Sequence, residues 1–190
     1  MPRPLEFGEI VREPDPPNLP QIIQVPGGFI LAFLSDGFLL IDPEKASKRI
    51  IHDTLCSGTP RTETPIFPLK IPCVPGLRDR VGLLGRMGFA VEVSGNFAVV
   101  KSLPRFPWHI TPEALESFFA GIVDLPPLAL DEAIALARER LALSPERPIS
   151  PRAAAEIADA LFSSDNPFIA PGGGMVAVRF RWKDLAQGIT

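Results

Sequence analysis

The chain has 190 residues, of which 46% are hydrophobic and 22% charged, and a net charge of −3 from 19 Lys+Arg against 22 Asp+Glu. That length suits one domain, or one domain split into two lobes, and excludes a long multidomain assembly, because compact domains run to roughly 50–250 residues. The acidic balance offers no long-range attraction to phosphate backbones, so any DNA contact is expected to be indirect or weak.

A mean hydropathy of +0.19 supplies enough apolar matter for a core. No window reaches the ~18 uncharged apolar residues of a membrane span, since the richest run, Gly27 to Ile41, contains Asp36. The N-terminus, MPRPLEFGEIVREPDPP, lacks the apolar stretch of a secretory signal, which makes the cytoplasm the expected location and membrane association unexpected. Cys56 and Cys73 are too few for a disulfide framework and too far apart for a CxxC knuckle, so reduced, buried thiols are expected.

In chain order, residues 1–20 are proline-rich with mixed charge and no period, the composition of a linker. QIIQV, FILAFL and FLLID follow, and Ser35-Asp36-Gly37 between the last two signals a hairpin turn. Continuous apolarity on both strands argues for burial on both faces. Pro43 opens a helix to Leu55, with Ala46, Ile50 and Ile51 at helical spacing. From Pro60 the pattern reads as a strand, TPIFPLKI, a helix, LRDRVGLLGRMG, with Gly88 at its C-cap, and a hairpin, FAVEV and FAVVKSL, around Ser94-Gly95-Asn96. Three helices begin near Thr111, Leu130 and Ser150. After them come the loop SSDNPFIAPGGG, a strand, MVAVRFRW, and a terminal helical turn. Strands and helices do not alternate as in a doubly wound sheet, so the predicted class is α+β. The long excursion between the first hairpin and the final strand predicts an inserted second lobe.

Candidate chemistry is sparse. His52 and Cys56 are four apart on the first helix and could face one metal, but a second ligand pair is missing, and an exposed histidine above a small thiol is the commoner arrangement. Asp42, Glu44 and Asp53 could gather round a hard cation, although acids at a helix start more often serve capping. His109 reads as a loop histidine. Gly172-Gly173-Gly174 matches neither phosphate-binding glycine pattern and reads as a turn. Arg179 and Arg181 alternate with Val178, Phe180 and Trp182, giving a half-exposed strand. There is no serine elbow, no Cys-His-Asn set and no HExxH.

Taken in order, QIIQVPGGFILAFLSDGFLLIDPEKASKRI, TPIFPLKIP, LGRMGFAVEVSGNFAVVKSLP and SSDNPFIAPGGGMVAVRFRWKDL resemble the C-terminal domain of the MutL DNA mismatch-repair family, from Gln21 to Leu185. The resemblance implies a dimerisation lobe, residues 21–59 and 130–190, with an inserted outer, regulatory lobe, residues 60–129. It also shows departures. Where endonuclease-type members carry DQHA-x-x-E-R, this chain has Asp42-Pro43-Glu44-Lys45-Ala46-Ser47-Lys48-Arg49, so that Asp42 and Arg49 remain, Glu44 replaces a histidine and Lys48 a glutamate. The C-P-H-G-R-P loop is Ala170-Pro171-Gly172-Gly173-Gly174-Met175, and the A-C-[RKH] helix is Ala135-Leu136-Ala137-Arg138, without the cysteine. Asp42, Glu44 and Lys48 are therefore read as degenerate remnants, with no metal, no cofactor and no catalytic residue expected. The clamp-binding segment of the family corresponds to Glu63, Thr64, Pro65, Ile66, Phe67 and Pro68, which lacks the glutamine and shifts the apolar pattern, so sliding-clamp binding is doubtful.

The resulting expectation is a non-catalytic homodimerisation domain holding two ATPase arms together and docking other mismatch-repair proteins. The alternatives are a divergent metal-dependent nicking endonuclease using Asp42, Glu44 and Asp53, and a dimeric interaction module outside repair. Phe29, Leu31, Phe33, Leu39 and Ile41, all odd-numbered, are expected on one strand face at the dimer seam, with Ile30, Ala32, Leu34, Phe38 and Leu40 on the other.

Overall fold

Described by this computed structural model are residues 22–144 and 148–187; the linker expected over residues 1–20 lies outside them. Three of the helices start with the same two-residue device, a capping side chain followed by proline. The Asp42 carboxylate accepts from the Lys45 N–H before α1 (Pro43–Cys56), Thr111 caps α3 (Pro112–Ile122) and Ser150 caps α5 (Pro151–Phe162). Proline at the first helical position sacrifices an N–H that has no partner there anyway. The remaining helices are α2 (Val81–Arg86), preceded by a 3-10 turn at Leu77–Arg80, α4 (Leu130–Arg140) and α6 (Trp182–Gln187).

Two antiparallel sheets organise these helices, which makes the class α+β. The first contains β1 (Ile22–Gln24), β2 (Ile30–Leu34), β3 (Gly37–Ile41) and β8 (Ala177–Arg181), in that order, so the last strand returns to the edge of the first hairpin. The second is built on β7 (Phe97–Pro104), which pairs with β4 (Thr62–Glu63), β5 (Leu69–Pro72) and β6 (Ala90–Ser94). One buried cluster joins them, from Ile30 and Ile41 through Ile51, Leu84, Phe118 and Ile157 to Ala177. Across the junction α3 lies so close to α4 that a Cβ on Gly121 would stand 3.0 Å from Leu136 Cδ2.

Several sequence expectations are corrected. TPIFPLKI is not one strand: only Leu69–Pro72 pairs with β7, because Pro65 and Pro68 have no N–H to donate to a ladder. The expected helix LRDRVGLLGRMG is a 3-10 turn plus six residues of α2. Gly88, however, has the left-handed φ of +86° that a C-cap glycine requires. Gly37 is not the left-handed residue of the turn. It pairs with Leu34 as the first residue of β3, and Ser35 and Asp36 alone close the loop. A Cβ at Gly37 would lie 1.9 Å from the Phe180 carbonyl oxygen, so close strand approach, not turn geometry, explains the glycine.

The hairpin tip is tied to β8 by Asp36, which accepts from Arg179 Nη2 at 2.7 and 2.8 Å, while the Trp182 N–H donates to the Asp36 carbonyl. The Arg179 hydrogen bond holds the Asp36 carboxyl below its ordinary range.

Ser47 is the one fully buried polar residue in the core of the described chain. Its hydroxyl donates to the Glu44 carbonyl at 2.8 Å and accepts from the Leu143 N–H at 2.9 Å, pinning α1 to the segment that follows α4. Removing the hydroxyl leaves a buried N–H without an acceptor, which costs about 1–3 kcal/mol. Ser47→Ala is therefore expected to lower the urea midpoint by the equivalent of that loss with an unchanged m-value. A midpoint equal to the parent's would show that this bond holds nothing.

Candidate functional site

The start of α1 meets the end of α4 at a cavity of about 230 Å³, lined by Glu44, Lys45, Lys48, Arg138, Glu139 and the loop Ala170–Gly173. Pro43 and the Asp42 cap fix the first turn of α1, and the four-residue spacing then brings Glu44 and Lys48 onto one face. Lys48 Nζ sits 3.0 Å from Glu44 Oε1 and 3.0 Å from Glu139 Oε2, bridging the two carboxylates. Burial alone would depress the Lys48 ammonium, but the hydrogen bonds to Glu139 and Glu44 outweigh it and hold the pKa above the ordinary lysine value. Lys45 is held by Asp42 at 3.1 Å.

The three acids expected to hold a cation are not brought together. Asp53 lies eleven residues beyond Asp42 on the same helix, about 16 Å along its axis at ~1.5 Å per residue, and is engaged by Arg49 Nε at 2.8 Å and His52 Nδ1 at 3.1 Å. Glu44 is taken by Lys48. Among the described residues no group of three or more His, Cys, Asp and Glu side chains is arranged to hold a metal ion. Arg138 and Glu139 were not anticipated as partners of this helix start. They come from α4, roughly ninety residues further on, and the charged run RER at its end is the one sequence signal that α4 carries a polar end.

His52 and Cys56 do share a face, with Nε2 and Sγ 3.7 Å apart. Cys56 is exposed rather than buried, because it ends α1 where the helix leaves the core; Cys73 is half-buried. Partial desolvation at the helix end raises the Cys56 thiol, Asp53 and Asp131 raise it further, and Arg138 and Arg49 offset this in part. The arrangement favours a protonated thiol over a nucleophile or metal ligand.

The seam residues divide between two faces. The hairpin pairs Ile30 with Ile41, Ala32 with Leu39 and Leu31 with Leu40, so parity switches across the two-residue turn. Leu39 and Ile41 therefore lie with Ile30 and Ala32 on the inner face and are buried. The other face carries Phe29, Leu31 and Phe33 beside Phe38 and Leu40, continued by Val178 and Phe180 of β8 and Ile23 of β1. Its residues are half-buried or exposed, and Phe38 stacks on Phe180 at 5.0 Å and touches Trp182 at 5.5 Å, ring centre to ring centre.

Glu63 ends β4, and Thr64–Pro68 forms an exposed loop on which Ile66 is 92% and Phe67 80% exposed. His109 lines a groove with Phe106 and Trp108 at the foot of α5. Gly172–Gly174 forms the turn that closes back on Ala170. No helix of the described residues is long and apolar enough to cross a membrane.

Comparison with known proteins agrees with the resemblance in the sequence at low identity. The chain is 24% identical over 181 residues to the DNA mismatch repair protein MutL of Halothermothrix orenii, which takes in 87% of this chain and 28% of that protein. It is 29% identical over 96 residues to the MutL of Syntrophus aciditrophicus, 46% of this chain and 16% of the relative. The chain thus spans less than a third of the length of these relatives. No family model matches it.

The raised Cys56 thiol is directly measurable. In a Cys73→Ser variant, the rise in thiolate absorbance is expected at a pH above that of free cysteine, and Asp53→Asn is expected to move it back down. A midpoint at or below that of free cysteine would contradict the assignment of partial desolvation and the neighbouring acids as its cause.

Proposed function

We propose that this chain serves DNA mismatch repair as a non-catalytic, MutL-like dimerisation domain, with residues 21–59 and 130–190 as the dimer lobe and residues 60–129 as the outer lobe. The observation that carries the reading is the outer face of the first sheet. Leu31, Phe33, Phe38, Leu40, Val178 and Phe180 form a continuous apolar surface with Ile23, Phe29 and Trp182 at its margins, whereas Ile30, Ala32, Leu39, Ile41 and Ala177 of the inner face are buried. Contiguous apolar surface of this kind marks an association site, and a stable homodimer commonly buries ~2,000 Å² or more. Pairing this face with its own copy holds two attached ATPase arms at high effective concentration, so that their contact becomes intramolecular. Other mismatch-repair proteins would dock on the outer lobe.

Loss of nuclease chemistry is part of the same reading. A lysine ammonium bridging Glu44 and Glu139 occupies the carboxylates that a divalent ion would need, and its charge repels such an ion. Protein purified without chelator is expected to contain no stoichiometric zinc or manganese by elemental analysis and to leave supercoiled DNA intact. Nicking that Asp42→Asn abolishes would establish the nuclease reading instead.

The dimer is tested on the corrected face. Leu31→Asp or Phe38→Asp would bury an unpaired charge at the seam, costing several kcal/mol, and each is expected to give a folded monomer by sedimentation at tens of micromolar. Lys101→Ala, on the second sheet, is expected to remain a dimer. A parent that sediments as a monomer, or strand variants that remain full-affinity dimers, would exclude this face as the seam.

A further inference from the structure

A groove of about 460 Å³ is lined by Phe106, Pro107 and Trp108 from the segment that leaves β7 and by Pro148, Ile149 and Ala153 from the start of α5. Its aromatic floor is fixed in advance. Phe106 and Trp108 stack at 5.1 Å with their planes 15° apart, and Trp108 Nε1 donates to the Leu141 carbonyl at 3.1 Å, so both rings, themselves nearly buried, are held without a ligand. On the α5 side the Ser150 hydroxyl accepts from the Ala153 N–H and keeps its own proton to donate. The chain enters the fold beside this groove: Gln24, the last residue of β1, accepts from the Ile149 N–H through Oε1 at 2.8 Å, and β1 packs on α5. Just upstream of β1 the sequence reads Pro14-Asp15-Pro16-Pro17-Asn18-Leu19-Pro20, with proline at four of seven positions and two P-x-x-P spacings, Pro14 to Pro17 and Pro17 to Pro20. At ~3.1 Å per residue in a polyproline II helix, this stretch reaches about 25 Å from Ile22.

We propose that residues 14–20 of the same chain dock in this groove as a polyproline II strand. P-x-x-P segments suit grooves with aromatic floors because proline sets the extended conformation beforehand and three residues per turn bring the spaced prolines onto one edge, so that little ordering entropy is lost on docking. The Ser150 hydroxyl supplies a donor for a carbonyl of a backbone whose prolines bring acceptors but no N–H. The chain's own segment is favoured over a separate peptide by its tether, since a short flexible connection holds it at an effective concentration of the order of millimolar. Docking there clips the upstream segment across the place where residues 106–109 meet residues 148–153, and so fixes the direction in which it leaves the fold. This inference goes beyond the dimer reading and does not rest on it, since the contact lies within one chain and a monomer makes it as well as a dimer.

The test uses the whole chain and brief trypsin digestion. Arg12 is the one cleavable site upstream of β1, because Arg3 precedes Pro4 and no lysine lies there, so release of residues 1–12, read by mass, reports access to the chain next to the docked stretch. Cleavage tracks the population of the undocked segment. Ala153→Glu fills the groove and places a carboxylate facing the acidic segment, at the helix position where glutamate completes a capping box with Ser150. It is expected to release residues 1–12 about fivefold or more faster than the parent. A synthetic peptide of residues 13–21, which has no tryptic site, is expected at about 10 mM, above the tether's effective concentration, to speed release from the parent; the same peptide with its four prolines changed to alanine is expected to have no effect. The peptide arm decides the matter if Ala153→Glu fails to fold. Equal rates in the parent and folded Ala153→Glu, or a parent rate that the peptide leaves unchanged or that both peptides raise alike, would overturn the proposal.

Discussion

Because Ser35 and Asp36 close the first hairpin in two residues, each residue of β2 faces one of opposite parity in β3, and every apolar side chain of the first sheet is thereby sorted to one of two faces. Ile30, Ala32, Leu39 and Ile41 join the core; Leu31, Phe33, Phe38 and Leu40 lie half-buried on the opposite face. A turn longer by one residue would exchange the two sets on β3. The register is held from the side as well. Asp36 in the turn grips Arg179 and Trp182, and Gly37 allows the β8 backbone to pass where any side chain would block it. The proposed seam therefore depends on a turn and a strand separated by more than 140 residues.

The same hairpin delivers Asp42 to the start of α1, and so sets the cavity. From that cap, the helical period places Glu44 and Lys48 on one face, while Ser47 turns inward to hold the segment after α4. Locking Ser47 to Leu143 keeps the end of α4 beside α1, which is what brings Arg138 and Glu139 within reach of Lys48. A single buried hydroxyl thus stands between the local capping of one helix and the charge arrangement of a site shared by two.

Much of this was legible in the sequence because it is local. The Asp42-Pro43, Thr111-Pro112 and Ser150-Pro151 starts, the left-handed Gly88 and the positions of β2, β3, β6 and β7 follow from cap chemistry and period. What was not legible depends on pairing between distant residues. Odd numbering along FILAFL and FLLI does not register that a two-residue turn exchanges parity, so it groups Leu39 and Ile41 with Leu31 and Phe33, whereas they lie with Ile30 and Ala32 on the inner face. Proline spacing in TPIFPLKI excludes ladder bonds at Pro65 and Pro68, a signal present in the sequence but outweighed by its apolar content. Asp53 looked like a companion of Asp42 because the chain is short between them, whereas a helix carries it to the far end of the rod. The meeting of Lys48 with Glu139 has no local signature at all.

Gly121 has a mechanical consequence. α3 follows the second sheet in the chain and α4 leads back towards the first, and at their crossing the Leu136 side chain rests almost on the glycine backbone. Close-packed interiors have low compressibility, so α3 cannot move closer to α4 at this point without displacing the Leu136 side chain. Leu136 stands two residues before Arg138, so this tight contact lies within one helical turn of the cavity at the end of α4.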